Sequence, residues 1–515
     1  MKTTPFFYNP LKLIYLTTLL LFLTGCSDDS SLPSDQNPPP NTTVNADINK
    51  DGKLNILIIG SSKSINSSVS AFSSDKIGEE LKNILTQDAS HNLDVTISFE
   101  DIYKSKVVTY GLGQSVNTYN ENHYAHSLLQ YYYWPENQEK RFNNLASKDA
   151  KKWDYVVITA DPYIIAKLPG YYSLGVHKIA QKVAEGGAKP LLLMQWSKDE
   201  TLTASINHFS EYTYRTADGT DIETIPAGLS WKNLPSSKKD KATTHPTPNG
   251  AYLAAAAIYT HILDKNATTS KYEYDNSIAD IVLKTKNEEK NKEHYSGNPT
   301  FISPFMNCDI SDNVLNYNHT GTSSENGILN GLKWVFNKSS RTLVKNGTPP
   351  INFNYGRANT NFEPNKRYKI DPTKFDFSFG FPMQDNGNHG NTSMLYGLDK
   401  RYNETNNSTD LGTALYMVRK SELPNARAIP IRTLYAQLKE AIPSQSAYSD
   451  NWHMHGNLDK ATAAYMYTML TGNCVLGSEP TDKNSNNWKE WMSQKIGHET
   501  AYRLAFFKGI NSNCK

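Results

Sequence analysis

L-N-I-L-I-I-G-S-S-K-S, residues 54–64, is the stretch that decides the fold of this chain. Its apolar part, Leu54 to Ile59, predicts a short strand that is buried on both faces, as in a parallel sheet covered by helices. Gly60 permits a tight turn, which places Ser61 and Ser62 at the carboxyl end of the strand. Open α/β sheets bind ligands at that edge, so a serine there can be a nucleophile if a histidine reaches it. The alternative is that these serines cap the next helix.

Strands and helices alternate through the first half of the chain. The hydrophobic pattern predicts two helices and three further strands: helices Ile77–Leu85 and Val176–Glu185, and strands Leu93–Phe99, Trp153–Thr159 and Pro190–Trp196. This order predicts an α/β fold, a three-layer α/β/α sandwich around a mainly parallel sheet. A charged stretch, Ser270 to Ser296, predicts a solvated helix that leads out of this unit.

A histidine block follows the last of these strands. His245 and Pro246 precede Gly250 and an alanine-rich helical segment that continues to Ala257. A neutral imidazole near pH 7 can accept a proton and later return it, so His245 is a candidate general base. The alternative is an ordinary loop histidine.

The glycine–serine turn and the histidine block resemble the corresponding blocks of the SGNH (GDSL-like) hydrolases. The resemblance implies that Ser62 is the nucleophile and that His245 takes its proton. It also implies that a glycine N–H joins the oxyanion hole, and Gly113 or Gly111 stands at a suitable place. For either glycine, a plain turn between elements is the alternative.

Two parts of the family pattern are missing. Ala160 and Asp161 stand where the family has a glycine and an asparagine that completes the oxyanion hole. Ala242 stands where the family has the aspartate that orients the histidine, and Asp240 lies nearby at a different spacing. Three alternatives follow: Asp240 serves from a remodelled loop, the site is a Ser–His dyad, or the site is inactive.

The second half contains an echo of the first. When Tyr467-Thr468 is aligned with Tyr259-Thr260, His453 falls opposite His245, and Asp450 has the Asp-x-x-His spacing that the first half lacks. The flank Ile429-Pro430 likewise matches Ile225-Pro226. We therefore predict a second, diverged SGNH-like unit in tandem, with Ser323 as its candidate nucleophile. A helix cap is the alternative for Ser323, and the segment from Ser378 to Asp385 is interpreted as a loop.

The N-terminal segment resembles a bacterial lipoprotein signal. Two lysines precede an apolar run that ends in Leu23-Thr24-Gly25-Cys26, which resembles a lipobox. The resemblance implies cleavage before Cys26, lipid attachment to its sulfur and, because Ser27 follows, sorting to the outer membrane. A plain signal peptide or an anchor helix is the alternative. Residues 27–52 are rich in Ser, Asp, Pro and Asn and predict a disordered tether.

Asp47-x-Asn49-x-Asp51-Gly52, at the end of the tether, resembles half of a calcium loop. Its twelfth position is the apolar Ile58, so we predict a solvated turn instead.

The remaining length predicts two domains, residues 53–268 and 269–515. The formal net charge of +2 gives no electrostatic case for nucleic acid. No Cys/His cluster suggests a metal, and no cofactor is expected. If Cys26 carries lipid, Cys308, Cys474 and Cys514 allow one disulfide, for which Cys474 with Cys514 is a guess.

These observations predict an exported, lipid-anchored serine esterase of the bacterial cell envelope. Its expected substrates are acetyl or other short acyl esters on a polysaccharide, and its expected membrane contact is the lipid on Cys26. The first alternative is a catalytically inactive SGNH-like surface lipoprotein that binds carbohydrate. The second is a lipase or thioesterase, which needs a deep apolar channel that sequence does not reveal.

Overall fold

The predicted central strand is present and lies inside a sheet. In the computed structural model, strand β1 spans Lys53–Gly60, and its apolar side chains are fully buried on both faces. The structure describes residues 46–60, 77–102, 106–109, 127–133, 138–146, 153–160, 162–167, 169–196, 206–218, 220–239, 247–294, 314–319, 342–345, 377–380, 393–396, 426–444 and 456–506.

The first sheet has six strands in the order β3-β2-β1-β4-β5-β6. The other strands are β2 (Asp94–Asp101), β3 (Lys106–Thr109), β4 (Tyr155–Ile158), β5 (Lys189–Leu193) and β6 (Glu223–Ile225). All neighbours are parallel except β3, which pairs antiparallel with β2 at one edge. The predicted parallel α/β sheet is therefore confirmed.

Helices cover both faces of this sheet. Those described in the first half are α1 (Ile77–Thr86), α2 (Leu128–Tyr133), α3 (Gln138–Leu145), α4 (Pro162–Lys167), α5 (Pro169–Glu185), α6 (Ile206–Ala217), α7 (Ala227–Asn233), α8 (Pro248–Leu263) and α9 (Asn276–Glu289). Ile56 and Ile58 of β1 belong to the core that contains the buried faces of α1, α8 and α9. Leu57 and Ile59 belong to the opposite core, with α2 and α5. This is the predicted three-layer arrangement.

The second half contributes a five-stranded parallel sheet with a matching strand order. Its strands are β7 (Val314–His319), β8 (Thr342–Lys345), β9 (Phe377–Gly380), β10 (Ser393–Tyr396) and β11 (Ala426–Ile429), arranged as β11-β10-β9-β7-β8. If the parallel strands of each half are numbered along the chain, both sheets read 2-1-3-4-5, a known doubly wound order.

The chain also leaves the two sheets in the same way. Pro226 follows β6 and Pro430 follows β11, and each is the N-cap of the helix that comes next. The carbonyl oxygen of each proline accepts the backbone N–H of the residue four positions later. Their backbone angles are close, φ −81°, ψ 45° and φ −84°, ψ 63°. In the second half three helices follow, α10 (Ile431–Ala441), α11 (Asn457–Thr471) and α12 (Asn486–Ala501), and they contact one another as α7, α8 and α9 do.

The helices of the second half pack on the helical layer of the first. Leu434, Leu438 and Ala461 share one continuous core with Tyr172 and Val176 of α5. A short π-helical segment, Tyr502–Phe506, follows α12 and also contacts α5. All described residues belong to one compact unit, Val44–Lys515.

Two predictions about local structure are wrong. The charged stretch after residue 270 forms the predicted helix, α9, but this helix is not a solvated lead-out, because it buries Ile278, Ala279 and Val282 against α7 and α8. An apolar residue every three to four positions gives this helix a buried stripe despite its charge. The segment interpreted as a loop begins with a strand, β9, whose pairing with β7 and β10 overrides its glycine content.

The predicted turn at residues 47–52 is present. Both carboxylate oxygens of Asp47 accept backbone N–H groups, from Asp51 at 3.2 Å and Gly52 at 2.8 Å. Ala46 and Asp47 are buried against the sheet.

Cys474 forms a disulfide, and its partner lies outside the described residues. In the described part of the chain, no helix is both long and apolar enough to cross a membrane.

Candidate functional site

The predicted site residues all lie outside the described part of the chain. They are Cys26, Ser62, Gly113, His245, Ser323, Asp450 and His453, together with Asp240 and Ala242. The structure does not test their roles. It does describe the elements that flank them, and these define where the chain enters and leaves each predicted block.

Strand β1 ends in the interior of the first sheet, at its carboxyl edge. The carbonyl of Gly60 accepts the N–H of Ile102 at 2.9 Å, and the carbonyl of Ile59 accepts the N–H of Thr159 at 2.9 Å. The end of β1 is therefore bonded to both neighbouring strands. Ser62 follows two residues after this fixed point.

Helix α8 begins at the same edge of the sheet. Its C-terminal part lies at the opposite, amino edge: His261 Nε2 is 2.8 Å from Oε2 of Glu223, the first residue of β6. The Tyr259 hydroxyl donates at 2.7 Å to Asp88, which precedes β2. Sixteen helical residues span about 24 Å, roughly the length of β1, so Pro248 lies at the carboxyl edge. His245 precedes it by three residues.

Hydrogen bonds join the described residues on the two sides of residues 240–246, the segment that includes Asp240 and His245. Asn249 Nδ2 donates to the backbone carbonyl of Lys238 at 3.1 Å, and the Tyr274 hydroxyl donates to Asn249 Oδ1 at 3.0 Å. The Lys238 ammonium also contacts Asp275, the N-cap of α9, at 2.5 Å. Lys238 and Asn249, which flank this segment, are therefore bonded to each other, and Lys238 is also bonded to the N-cap of α9.

A buried polar pair at this edge was missed by the sequence reasoning. Thr159 and Gln195 follow β4 and β5, and the Gln195 amide donates to the Thr159 hydroxyl. Thr159 is fully buried and Gln195 nearly so. Polar side chains placed directly after two buried strands are the sequence signal that would have found them.

Two tryptophans lie at the same edge. Trp196 is three residues beyond β5 and Trp231 is in α7, which follows β6, and their rings stack at 6.4 Å with an interplanar angle of 17°. The Lys239 ammonium lies 5.3 Å from the centre of the Trp231 ring. Both indoles pack against the core that contains α8.

The most perturbed carboxyl groups of this sheet serve structural roles at its amino edge. Hydrogen bonds from His261 and Lys189 outweigh burial and lower the pKa of Glu223 to about 2. Burial raises the pKa of Asp154, although its carboxylate accepts N–H groups from Ile48, Asn49 and Asn55 at 2.9, 3.1 and 2.8 Å. Both carboxyl groups therefore lie at the edge of the sheet opposite to Gly60, the last residue of β1. No His, Cys, Asp and Glu cluster suited to a metal occurs among the residues that the structure describes.

Comparison with known proteins found neither a matching family model nor a matching curated protein. Among solved structures, the chain is similar to a DUF4886 family protein from Bacteroides uniformis, with 12% identity and a TM-score of 0.33 over 47% of this chain and 96% of that one. It is also similar to a candidate SGNH hydrolase from Slackia heliotrinireducens, with 16% identity and a TM-score of 0.29 over 40% and 97%.

A lipase from a goat rumen metagenome is a third similar structure, with 12% identity and a TM-score of 0.29 over 43% of this chain and all of that one. Identities and TM-scores this low carry no argument about family or activity. The fold assignment therefore rests on the strand order and the helical layers described above.

Proposed function

We propose that this chain is a serine esterase of the SGNH type that removes acetyl or other short acyl groups from a polysaccharide. The observation that carries the proposal is the common edge of two elements. Strand β1 ends at Gly60, two residues before Ser62, and α8 begins at Pro248, three residues after His245, at the same edge of the first sheet. A nucleophile after the first element and a base before the second are the two groups that the proposed reaction needs at this edge.

The proposed reaction has two steps. Ser62 Oγ attacks the ester carbonyl carbon while His245 takes the hydroxyl proton, and His245 then protonates the departing sugar oxygen. A water molecule, deprotonated by His245, attacks the acyl-serine, and His245 returns this proton to Ser62 Oγ as the bond to the acyl group breaks. The product leaves as the carboxylic acid, which ionises in water. The N–H of Gly113 stabilises the oxyanion in both steps. No cofactor enters this reaction.

The third group of the proposed site is the acid that orients the His245 imidazole. Asp240 is the candidate acid if the loop is remodelled. It is the second residue after Lys238, whose carbonyl accepts the Asn249 amide. A Ser–His dyad without an acid works more slowly, because nothing then fixes the imidazole tautomer.

We extend the proposal to the second half as a diverged unit of the same type. It rests on the equal strand order, the equal Pro-capped exit from the last strand and the three mutually contacting helices. In this unit Ser323, Asp450 and His453 are the proposed triad. Ser323 follows β7 by four residues, and His453 precedes α11 by four.

The proposed setting is the bacterial cell envelope, with the protein held at the outer membrane by lipid on Cys26. Metabolic labelling with a palmitate analogue, followed by fractionation, tests it. Cys26→Ser should abolish labelling and release the protein from the membrane fraction. Labelling of the variant would contradict the anchor.

A second candidate is a surface protein that binds carbohydrate without catalysis. Ala242 and the missing asparagine after β4 favour it, because both replace side chains that the reaction uses. The two candidates differ in whether any serine is activated.

The deciding experiment is covalent capture by a fluorophosphonate, measured as intact mass on the chain lacking residues 1–26. Wild type should gain one adduct, or two if both halves are active. Ser62→Ala should remove the adduct of the first half, and Ser323→Ala should remove that of the second. The neighbouring Ser61→Ala variant should gain the same adducts as the wild type. Absence of any adduct on the wild-type chain would favour the binding protein.

A further inference from the structure

We infer that Trp196 and Trp231 form a subsite for one pyranose ring of the substrate, beside the bond that is cleaved. This inference rests on the proposed esterase function and names the part of the substrate that the site would recognise. Neither tryptophan has an assigned role in the proposed chemistry.

The position of the pair is the first argument. Trp196 follows β5, and β5 is separated from β1 by β4 alone. Strands in a sheet lie about 4.8 Å apart, so the end of β5 is about 10 Å from the end of β1. One sugar ring with its ester linkage spans that separation. Trp231 is buried behind Trp196 and stacks on it.

The chemistry of the two indoles is the second argument. A tryptophan offers a broad apolar ring face, against which the C–H face of a pyranose packs, and a single polar N–H. Trp196 packs against the core with part of its ring and keeps the rest exposed. Trp231 is 9% exposed, and among the described residues its Nε1 has no hydrogen-bond partner. A buried donor without a partner is costly, and a ligand oxygen would satisfy it.

The neighbouring segment is the third argument. Lys239 lies over the Trp231 ring at 5.3 Å and is the last described residue before residues 240–246, which include His245. A sugar ring held on Trp196 would therefore lie on the side of the tryptophan pair where Lys239 leads toward residues 240–246. The Lys239 ammonium adds a donor for a sugar hydroxyl or ester carbonyl at the same place.

The test compares two acetyl esters, glucose pentaacetate, which has a pyranose ring, and vinyl acetate, which has none. We expect Trp196→Ala to raise KM for glucose pentaacetate about tenfold, because the stacking of a sugar ring contributes about a tenfold gain in affinity. The same substitution should leave kcat/KM for vinyl acetate within about twofold of the wild-type value. Trp196→Phe should recover most of the loss. Trp231→Phe should raise KM about threefold through loss of the N–H alone.

Trp491→Ala is the matched control. Trp491 is also partly buried and also carries a lysine over its ring, Lys495 at 5.2 Å, but it lies on α12 and its Nε1 donates to Gly477 at 2.7 Å. The Trp491→Ala variant should leave KM for glucose pentaacetate and kcat/KM for vinyl acetate unchanged.

Each result has a defined meaning. Equal loss on both esters, no loss on either, or a wild type that cleaves only vinyl acetate would overturn the subsite. A wild type that cleaves neither ester and takes no fluorophosphonate would overturn the esterase function instead.

Discussion

Asn249 and Lys238 are joined by a hydrogen bond of 3.1 Å from the side-chain amide of the first to the backbone carbonyl of the second. This bond connects the start of α8 to the chain just before the segment that contains His245. Tyr274 holds the other end of the Asn249 amide at 3.0 Å, so the side chain has little freedom. The described residues on the two sides of residues 240–246 are thus joined by a side chain that takes no part in the proposed chemistry.

Asn249→Ala should slow fluorophosphonate capture by Ser62 about fivefold, because a small displacement of a catalytic group costs much of its rate. The midpoint of thermal unfolding should fall by only a few degrees. Asn266→Ala, which removes a 2.7 Å bond to Asp280 beyond the other end of α8, is the control and should leave the capture rate unchanged. Equal rates for all three proteins would show that the bond does not position His245.

Thr159→Val should destabilise the fold by about 1–3 kcal/mol, because it leaves the buried Gln195 amide without its acceptor. The measurement is urea unfolding. Thr462→Val is a matched control, since Thr462 is also fully buried and its hydroxyl has no partner in the described part of the chain. That substitution should be neutral or stabilising. If both substitutions had equal effects, the Thr159–Gln195 bond would contribute nothing.

Glu440 links the two halves of the chain. Its carboxylate accepts the Tyr132 and Tyr133 hydroxyls at 2.6 and 3.1 Å and pairs with Lys178 at 2.7 Å. Burial alone raises the pKa of Glu440, but Lys178 and the two phenols outweigh it and hold the pKa below the ordinary 4.5. A carboxyl group whose pKa is lower in the folded than in the unfolded protein stabilises the fold at any pH above its unfolded pKa. This contribution is lost as the pH falls through the folded pKa.

Glu440→Gln should therefore lower the free energy of unfolding at neutral pH, and the loss should be smaller at an acidic pH, because protonation of the native carboxyl removes the ionic contribution. The side chain is 39% exposed, so solvent screening limits the loss to about 1 kcal/mol. Urea unfolding at both pH values measures it. Glu288→Gln removes only an exposed 3.8 Å pair with Lys284 and should change nothing. A pH-independent loss at Glu440 would contradict the ionic explanation.

Gly497→Ala should destabilise the fold by about 1–3 kcal/mol, because a Cβ there would overlap the backbone carbonyl of Ala461 where α12 crosses α11. The intrinsic helical preference for alanine offsets about 1 kcal/mol of the strain. Gly477→Ala is the control, since nothing lies within 4 Å of its added methyl group. Thermal unfolding of the two variants measures the difference, and an unaffected Gly497→Ala would mean that the helices can separate at low cost.

The fold of the first half was predictable because its signals are local. A buried β-branched run, amphipathic helical spacing and glycine turns are read from neighbouring residues, and β1, β2 and α1 were found within two positions of their observed ends. Helix α5 ends at the predicted residue but begins seven residues before its predicted start. The helices around residues 128–145 were missed because their sequences lack a clear apolar period. Strands β8 and β10 are only four residues long, and a run that short does not establish a period of two.

The sequence by itself determined the parallel α/β class, the position of the central strand and the candidate serine and histidine blocks, because each depends on residues close together in the chain. Only the tertiary structure decided the equal strand order of the two sheets, the Trp196–Trp231 stack and the contact of Lys178 with Glu440, which are 262 residues apart. Such contacts depend on the path of the whole chain, and no local periodicity encodes it.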